Sequence, residues 1–272
     1  MRKRVALVAV MAILVCLIVY AAFIEPHLLT VERKKLDFDL EKPLRVVQFT
    51  DTQLGDYFTL EQLANTVALI NRQSPDIVIF TGDFLDEPRE YEYQEEAVEV
   101  LKLLDNGILK IAINGNHDLG GGGEKIYDKL MMEAGFEVLV NSEVLYRTDS
   151  GKTLAFFGID DAMLGHPNFS QLRDNIKAED INILLTHEPD LYEAVKDLPI
   201  DLVLAGHSHG GQICLPILGP VITPPNAHLY KKGFYNIENS RKTLLYVNSG
   251  LGNTKMRFRF GNPPKITVFE LE

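Results

Sequence analysis

The sequence AGHSHGG, residues 205–211, places two histidines in a frame of glycines. Histidine is a common ligand for divalent metals, and glycine lets a bound group approach the backbone closely. The preceding residues, 201–205, predict a short buried strand, so His207 and His209 would follow a strand end, where α/β proteins often bind ligands. Taken alone, this loop fits a turn with two solvated histidines as well as it fits a metal site.

Potential metal ligands also follow most of the other predicted strands. They are Asp51 after LRVVQFT, Asp83 after DIVIFTG, Asn116 and His117 after ILKIAING, and His187 after INILLT. Each of them singly could be a turn, cap or strand-end residue. Together they favour a site, because strand ends meet along one sheet edge and carboxylates are rarely buried unless they are paired or bound to a cation.

The elements that must position these residues alternate between strand and helix from Leu44 onward. Predicted strands cover 44–51, 76–83, 154–160, 181–190, 201–205, 243–250 and 265–272, and the segment 108–118 is predicted as a strand that runs into a turn. Predicted helices run through 59–71, 91–104 and 126–134. Thr59 and Gln62 form a capping-box pattern at the start of the first of these helices. This alternation predicts an α/β domain whose sheet faces are both covered.

The N-terminus predicts a membrane anchor. Residues 5–24 carry no charged side chain, and a helix of this length can cross a bilayer. The basic cluster 2–4 precedes this stretch. A cleaved signal peptide is the alternative, but Tyr20 lies at the third position before a cut after Ala22, where a small residue is preferred. We expect an uncleaved single-pass anchor in the cell membrane with the domain on its outer face, although the basic residues 33–35 favour the opposite orientation.

Composition limits the choice of partners. The chain has 272 residues and a formal charge of −11, so we expect no nucleic-acid partner. Two cysteines, Cys16 and Cys214, cannot provide a disulfide framework. The single basic run, Lys255, Arg257 and Arg259, is interpreted as a solvated edge strand, with contact to a substrate phosphate or a lipid headgroup as the alternative.

The set Asp51, Gly82–Asp83, GNHD at 115–118, His187 and GHSH at 206–209 resembles the calcineurin-like metallophosphoesterases. The stretches SGLGNTKMRFRFGNPP and PILGPVITPP resemble the membrane-associated, YkuE-like branch of that family. The resemblance implies a four-layer αββα sandwich preceded by one N-terminal transmembrane helix. We therefore predict a basic flank at 1–4, an anchor at 5–24, a juxtamembrane connector at 25–43 and a metallophosphoesterase domain at 44–272.

The same resemblance implies a centre with two divalent metal ions. Asp51 and His209 would bind the first metal, His187, His207 and Asn116 the second, and Asp83 would bridge the two. Gln53 stands where many family members carry a second histidine on the first metal. Because an amide offers oxygen in place of nitrogen, we expect Mn²⁺, with Fe²⁺ or Zn²⁺ as alternatives.

The implied reaction is hydrolysis of a phosphate ester or pyrophosphate by a metal-bridging hydroxide, with His117 as general acid and Asp118 orienting its ring. The substrate would be a phosphorylated small molecule or a lipid, and the anchor favours a lipid-linked molecule resembling UDP-diacylglucosamine. The alternative is a metal-binding protein of the same fold with little hydrolytic activity, but His117 and Asp118 favour an enzyme. We expect a monomer.

Overall fold

Two six-stranded sheets pack face to face in the computed structural model, which describes residues 1–105 and 107–272. In chain order the strands are β1 (Thr30–Leu36), β2 (Leu44–Phe49), β3 (Ile77–Thr81), β4 (Leu109–Ile113), β5 (Glu137–Val138), β6 (Ser142–Arg147), β7 (Thr153–Gly158), β8 (Ile181–Leu185), β9 (Leu202–Ala205), β10 (Cys214–Leu215), β11 (Gly219–Pro220), β12 (Gly233–Asn236), β13 (Leu244–Val247) and β14 (Lys265–Leu271). The first sheet has the order β1-β14-β2-β3-β4-β5, the second has the order β12-β13-β9-β8-β7-β6, and β10 and β11 form a separate hairpin.

Helices cover the outer faces of both sheets. Helices α2 (Leu60–Asn71), α3 (Gln94–Leu101) and α5 (Glu124–Glu133) pack on the first sheet, and α6 (Ser170–Asn175) packs on the second. The remaining helices are α1 (Arg2–Val19), which has no buried residue, and α4 (Asn116–Leu119), and short 3₁₀ turns occur at Gly120–Gly122, Pro189–Ala194 and His209–Gly211. The predicted capping box of α2 is confirmed, since Gln62 N donates to Thr59 Oγ1 and Thr59 N donates to Gln62 Oε1. The four-layer αββα prediction is therefore confirmed.

The central strands are buried on both faces, which explains their continuous apolar sequences. Val46 of β2 and Ile79 of β3 pack between the sheets against residues such as Phe156 of β7. Val47 and Phe49 of β2 point the other way, into the core beneath α2, α3 and α5. Because β2, β3 and β4 are mutually parallel, as are β7, β8, β9 and β13, the carboxyl ends of each group emerge together.

The segment interpreted from the sequence as a connector, 25–43, contains a strand of the first sheet. β1 pairs in parallel with β14 over its whole length, from Thr30 opposite Lys265 to Leu36 opposite Leu271. Its sequence, TVERKKL, is highly charged, as suits an edge strand in which three of the seven residues are exposed and the other four are only partly buried. The part of the chain that belongs to the sheets therefore begins before Leu44.

Helix α1 leaves its apolar side chains exposed and continues into a π-helical turn (Tyr20–Ile24) and a 3₁₀ turn (Glu25–His27). Within the span Arg2–His27, an 18-residue window has a mean hydropathy of 3.0, and the helix is long and apolar enough to cross a membrane. This helix indicates a single-pass membrane protein.

Candidate metal centre

Five of the predicted ligands converge at the carboxyl edge of the sheets. Asp83, His187 and His207 each offer a ligand atom within 4.8 Å of the others, and so do Asp51, Asp83 and His209. His187 Nε2 lies 3.2 Å from Asp83 Oδ2, and His209 Nε2 lies 3.4 Å from Asp51 Oδ1. Asp83 belongs to both groups, so the geometry suits two neighbouring cations with one shared carboxylate.

The backbone at these residues adopts an uncommon conformation. Positive φ angles occur at Asp51 (51°), Gln53 (42°), Asp83 (61°), His207 (66°) and His209 (48°). A non-glycine residue in this region costs about 1–3 kcal/mol, and such residues cluster at functional sites. Here the left-handed conformation turns each chain sharply at the end of its strand and directs the side chain toward its neighbours.

The glycines of the two motifs allow close approach between these loops. A Cβ atom on Gly206 would lie 2.5 Å from Asp51 Oδ2, and one on Gly115 would lie 2.7 Å from His187 Cε1. Both distances are too short for real Cβ contacts, so any other residue would displace a predicted ligand. The glycines of GNHD and GHSH are therefore required by packing at the site.

Backbone carbonyls fix the ring orientation of two histidines. His187 Nδ1 lies 2.7 Å from the carbonyl oxygen of Thr81, and His207 Nε2 lies 2.9 Å from that of Pro225. Each nitrogen must carry the proton that it donates, so the other nitrogen of each ring keeps its lone pair for a metal. A hydrogen bond to a carbonyl is the usual means by which proteins orient metal-binding histidines.

Several buried polar atoms at the site lack a hydrogen-bond partner among the described residues. They are Gln53 Oε1, Asn116 Oδ1, His187 Nε2 and His209 Nδ1. A buried polar atom without a partner costs about 1–3 kcal/mol, so native proteins rarely retain one without a reason. All four atoms can donate a lone pair, and together with the carboxylates they form an oxygen and nitrogen set that fits divalent cations.

Electrostatics favours a proton or a cation between Asp83 and His187. Burial lowers the pKa of His187, but the Asp83 carboxylate outweighs burial and holds this pKa well above its usual value. Burial raises the pKa of Asp51 to about 6, and burial together with the charge of His187 lowers the pKa of His207 to about 4. Because metal binding needs a neutral imidazole, a cation would displace the proton of His187.

The structure differs from the expectation for Asp118. Its carboxylate accepts hydrogen bonds from the backbone N–H groups of Asp83 (2.7 Å), Phe84 (2.8 Å) and Gly115 (2.9 Å), and so it fixes the loop that carries Asp83. The His117 ring is oriented by another carboxylate: His117 Nδ1 lies 2.9 Å from the backbone oxygen of Asp86 and 3.2 Å from its Oδ1. Asp118 is the carboxylate nearest to His117 in sequence, but its oxygens accept hydrogen bonds from three backbone N–H groups and do not orient the His117 ring.

Asp86 was missed by the sequence analysis, although it stands three residues after Asp83 in the same loop. Burial lowers the pKa of His117, but the hydrogen bonds to Asp86 and the negative charge of Asp83 together outweigh burial and raise this pKa to about 10. The His117 backbone N–H donates to Asp83 Oδ1 at 2.8 Å, which fixes His117 beside the shared carboxylate. Its side chain is 25% exposed, so a substrate can reach the ring.

The basic run does not form a solvated edge strand. Arg259 is fully buried, and its guanidinium donates to Asn253 Oδ1 and to the carbonyl oxygens of Ser249, Gly252 and Asn262. Arg259 therefore holds together the loop after β13, while Lys255 remains exposed. A charged residue with several carbonyl partners inside a loop cannot be distinguished by sequence from one on a surface.

Comparisons with known proteins agree with this geometry. The family profile "Calcineurin-like phosphoesterase" matches residues 44–211. The chain is 38% identical to the uncharacterized metallophosphoesterase YkuE of Bacillus subtilis, over 93% of this chain and 89% of that protein. It is 27% identical to UDP-2,3-diacylglucosamine pyrophosphatase LpxG of Chlamydia muridarum, over 98% and 96%. The crystal structure of TT1561 from Thermus thermophilus has the same fold, with a TM-score of 0.51, 12% identity and coverage of 77% and 91%.

Proposed function

The chain belongs to the calcineurin-like phosphoesterase family and is a hydrolase acting on phosphoester bonds, and we propose that it acts at a dinuclear metal centre on a lipid-linked phosphate or pyrophosphate. The observation that carries the proposal is the position of Asp83, which is shared by two groups of buried potential ligands. A single carboxylate between two such groups is the arrangement that two-metal phosphoesterases need.

We assign the ligands as the sequence analysis predicted. Asp51, His209 and Gln53 would bind one cation, His187, His207 and Asn116 the other, and Asp83 both. The partnerless buried atoms of Gln53, Asn116, His187 and His209 support this assignment. The cations, when bound, would supply positive charge beside the phosphate and lower the pKa of a water molecule. The oxygen of Gln53 favours Mn²⁺ at the first site.

His117 is the proposed general acid. At neutral pH its raised pKa keeps the ring protonated, and Asp86 holds Nδ1 so that Nε2 is free to protonate the leaving oxygen of the ester. Asp118 acts indirectly, because its hydrogen bonds fix the backbone of Asp83. Removal of Asp118 would therefore disturb the shared carboxylate before it disturbed the acid.

A lipid-linked substrate is favoured by two features. LpxG is similar to this chain over nearly its whole length, and its name describes it as a pyrophosphatase of a diacylated nucleotide sugar. The apolar span Arg2–His27 would keep the site near a bilayer, where such molecules concentrate. We propose that the domain faces the outside of the cell, since the basic residues 2–4 precede the span.

The test compares three substrates with full-length protein in proteoliposomes. Bis-p-nitrophenyl phosphate reports basal hydrolysis, and a UDP-diacylglucosamine-type lipid and UDP-glucose report whether the acyl chains matter. We expect Mn²⁺-dependent turnover of the first and preference for the lipid over UDP-glucose. Asp83→Asn should lower turnover by about 10²-fold or more together with bound manganese. The matched control is Asp174→Asn, at an exposed residue of α6. Equal turnover of the lipid and UDP-glucose would contradict the lipid assignment.

A further inference from the structure

A hairpin beside the metal centre exposes apolar side chains to an unusual degree. Residues 213–222, called here the apolar hairpin, include β10, β11 and the turn between them. At its tip Ile217 and Leu218 have relative exposures of 106% and 80%, and Ile222 follows with 77%. A contiguous exposed apolar group of this kind marks an interaction site in a protein of this composition.

The base of the apolar hairpin lies against the end of the membrane span. Ile213 forms a β-bridge with Phe260, and Cys214 N donates to the carbonyl oxygen of Phe260 at 2.8 Å. The Phe260 ring contacts the Tyr20 ring edge to face, with 6.5 Å between their centroids. The neighbouring residue, Arg259, donates its backbone N–H to the carbonyl oxygen of Ala21. The base of the apolar hairpin therefore lies beside Tyr20 and Ala21, near the C-terminal end of the apolar span.

The same junction contacts the metal centre. The buried carboxylate of Glu25 accepts hydrogen bonds from the backbone N–H groups of Gly261 and Asn262. Asn262 Nδ2 in turn donates to the carbonyl oxygen of His209 at 2.6 Å. Anchor, hairpin and metal ligand are thus linked by hydrogen bonds with no free connector between them. β1 also starts at this edge, because it is antiparallel to β2 across β14.

The charge of these loops suits an anionic surface. Residues 206–236 and 248–264, which follow β9 and β13, contain no Asp or Glu, whereas the loops that follow β2 and β3 at the same edge carry several acidic residues. Apart from the buried Arg259 they contain four Lys or Arg residues, although the whole chain has a formal charge of −11. Phospholipid headgroups attract such basic segments, whereas the acidic remainder of the domain would be repelled from them.

We propose that the apolar hairpin inserts into the bilayer that α1 spans and holds the metal centre at the membrane surface. This inference rests on the anchoring part of the proposed function, because the occupant of the hairpin is the same bilayer. The two apolar elements arise from one junction, and the basic loops between them match the headgroup layer. An amphiphilic phosphate could then enter the site while its acyl chains remain in the membrane.

The absence of tryptophan from the sequence gives a direct test. Leu218→Trp places a single fluorophore at the hairpin tip, and Leu103→Trp places one at an exposed residue (63%) after α3, at the opposite edge of the sheets. Each full-length variant is reconstituted into phosphatidylglycerol-containing vesicles with or without brominated acyl chains. We expect the brominated lipid to quench the fluorescence of the Leu218→Trp variant at least about twofold, and that of the control not at all, because an interfacial apolar segment reaches the acyl boundary.

The outcomes separate this inference from the proposed function. Alkaline carbonate extraction tests the anchor, and turnover of bis-p-nitrophenyl phosphate by the same samples tests hydrolysis. A membrane-bound, active Leu218→Trp variant without quenching would overturn the hairpin inference alone. A blue-shifted but unquenched spectrum would also overturn it, since it would indicate that a second copy or another protein covers the hairpin. Ile222→Trp provides a second position should Leu218→Trp fail to fold, and quenching there carries the same meaning.

Discussion

We expect Gln53 to make the two halves of the proposed metal centre differ. Its Nε2 lies 3.4 Å from Asp83 Oδ2, while its buried Oε1 has no partner among the described residues. In the metal-loaded protein we expect Oε1 to face the first cation, which then has two oxygen ligands from Asp51 and Asp83, a third from Gln53 and one imidazole. Such a set binds Zn²⁺ less tightly than one with two imidazoles.

Gln53→His should therefore raise the affinity for Zn²⁺ at one of the two sites by about tenfold and weaken the preference for Mn²⁺. The backbone can accept the change, because histidine occupies positive φ at His207 and His209 in the same protein. Competition titration with a zinc indicator measures the effect, and Gln62→His in α2 serves as control. Unchanged zinc affinity would show that Gln53 does not reach the metal.

Asp86→Asn should shift the upper limit of the pH profile downward. Against the effect of burial, the Asp86 carboxylate and the charge of Asp83 together raise the pKa of His117 to about 10, and His117 is protonated below its pKa, so it can act as an acid up to that pH. Without the charge, His117 loses its proton at a lower pH and turnover falls there. The profile of kcat/KM from pH 6 to 10 measures the shift.

The leaving group provides a control for Asp86→Asn. An alkyl phosphodiester needs protonation of its leaving oxygen more than a p-nitrophenyl ester does, so its turnover should fall further. An equal loss on both substrates would indicate that Asp86 has a structural role only.

At the scale of helices and strands, the alternating apolar segments were sufficient to predict the central sheets. The segment 108–118, predicted as a strand that runs into a turn, contains β4 and, after the turn, the beginning of α4, which was not predicted. β1 was not predicted at all, since an exposed edge strand lacks the apolar alternation of a buried one. The candidate ligands could be predicted from the sequence because metal binding requires particular side chains. The carbonyl groups of Thr81 and Pro225 that orient the histidines could not be predicted, because every residue type has a backbone carbonyl.

The junction between anchor and domain depends on the buried carboxylate of Glu25. Glu25→Ala would leave the N–H groups of Gly261 and Asn262 without partners, and an unpaired buried donor costs about 1–3 kcal/mol. We expect a lower melting temperature of the full-length protein in detergent micelles, measured by circular dichroism. Glu41→Ala is the control, because Glu41 is exposed. An unchanged melting temperature would contradict the role of Glu25.

At the scale of the whole molecule, metal binding should stabilise the fold. The two groups of ligands come from loops of both sheets, so cations would tie the sheets together at one edge. Each cation at a concentration of about 100 times its Kd should add about 2.7 kcal/mol to the free energy of unfolding. Differential scanning calorimetry with and without Mn²⁺ after chelation measures this gain, and Asp83→Asn should abolish most of it.

The gain from Mn²⁺ should increase with pH. His187 has a pKa well above its usual value, so below that pKa the metal must displace a proton from it. Raising the pH lowers this competition and tightens binding. Titration calorimetry in two buffers with different ionisation enthalpies should show proton release, and its absence would mean that His187 is already neutral.

In the proposed membrane-anchored protein, the hydrogen bonds from Glu25 through Asn262 to His209 would hold the catalytic edge at a fixed height above the lipid. A domain joined to its anchor by a long flexible linker could move far from the bilayer and reach opposing membranes or soluble metabolites. The anchored domain would be confined to one leaflet, and its encounters with amphiphiles would become a search in two dimensions. Its rate would then follow the surface density of substrate in that leaflet, and dilution of the vesicles at constant lipid composition would leave it unaltered.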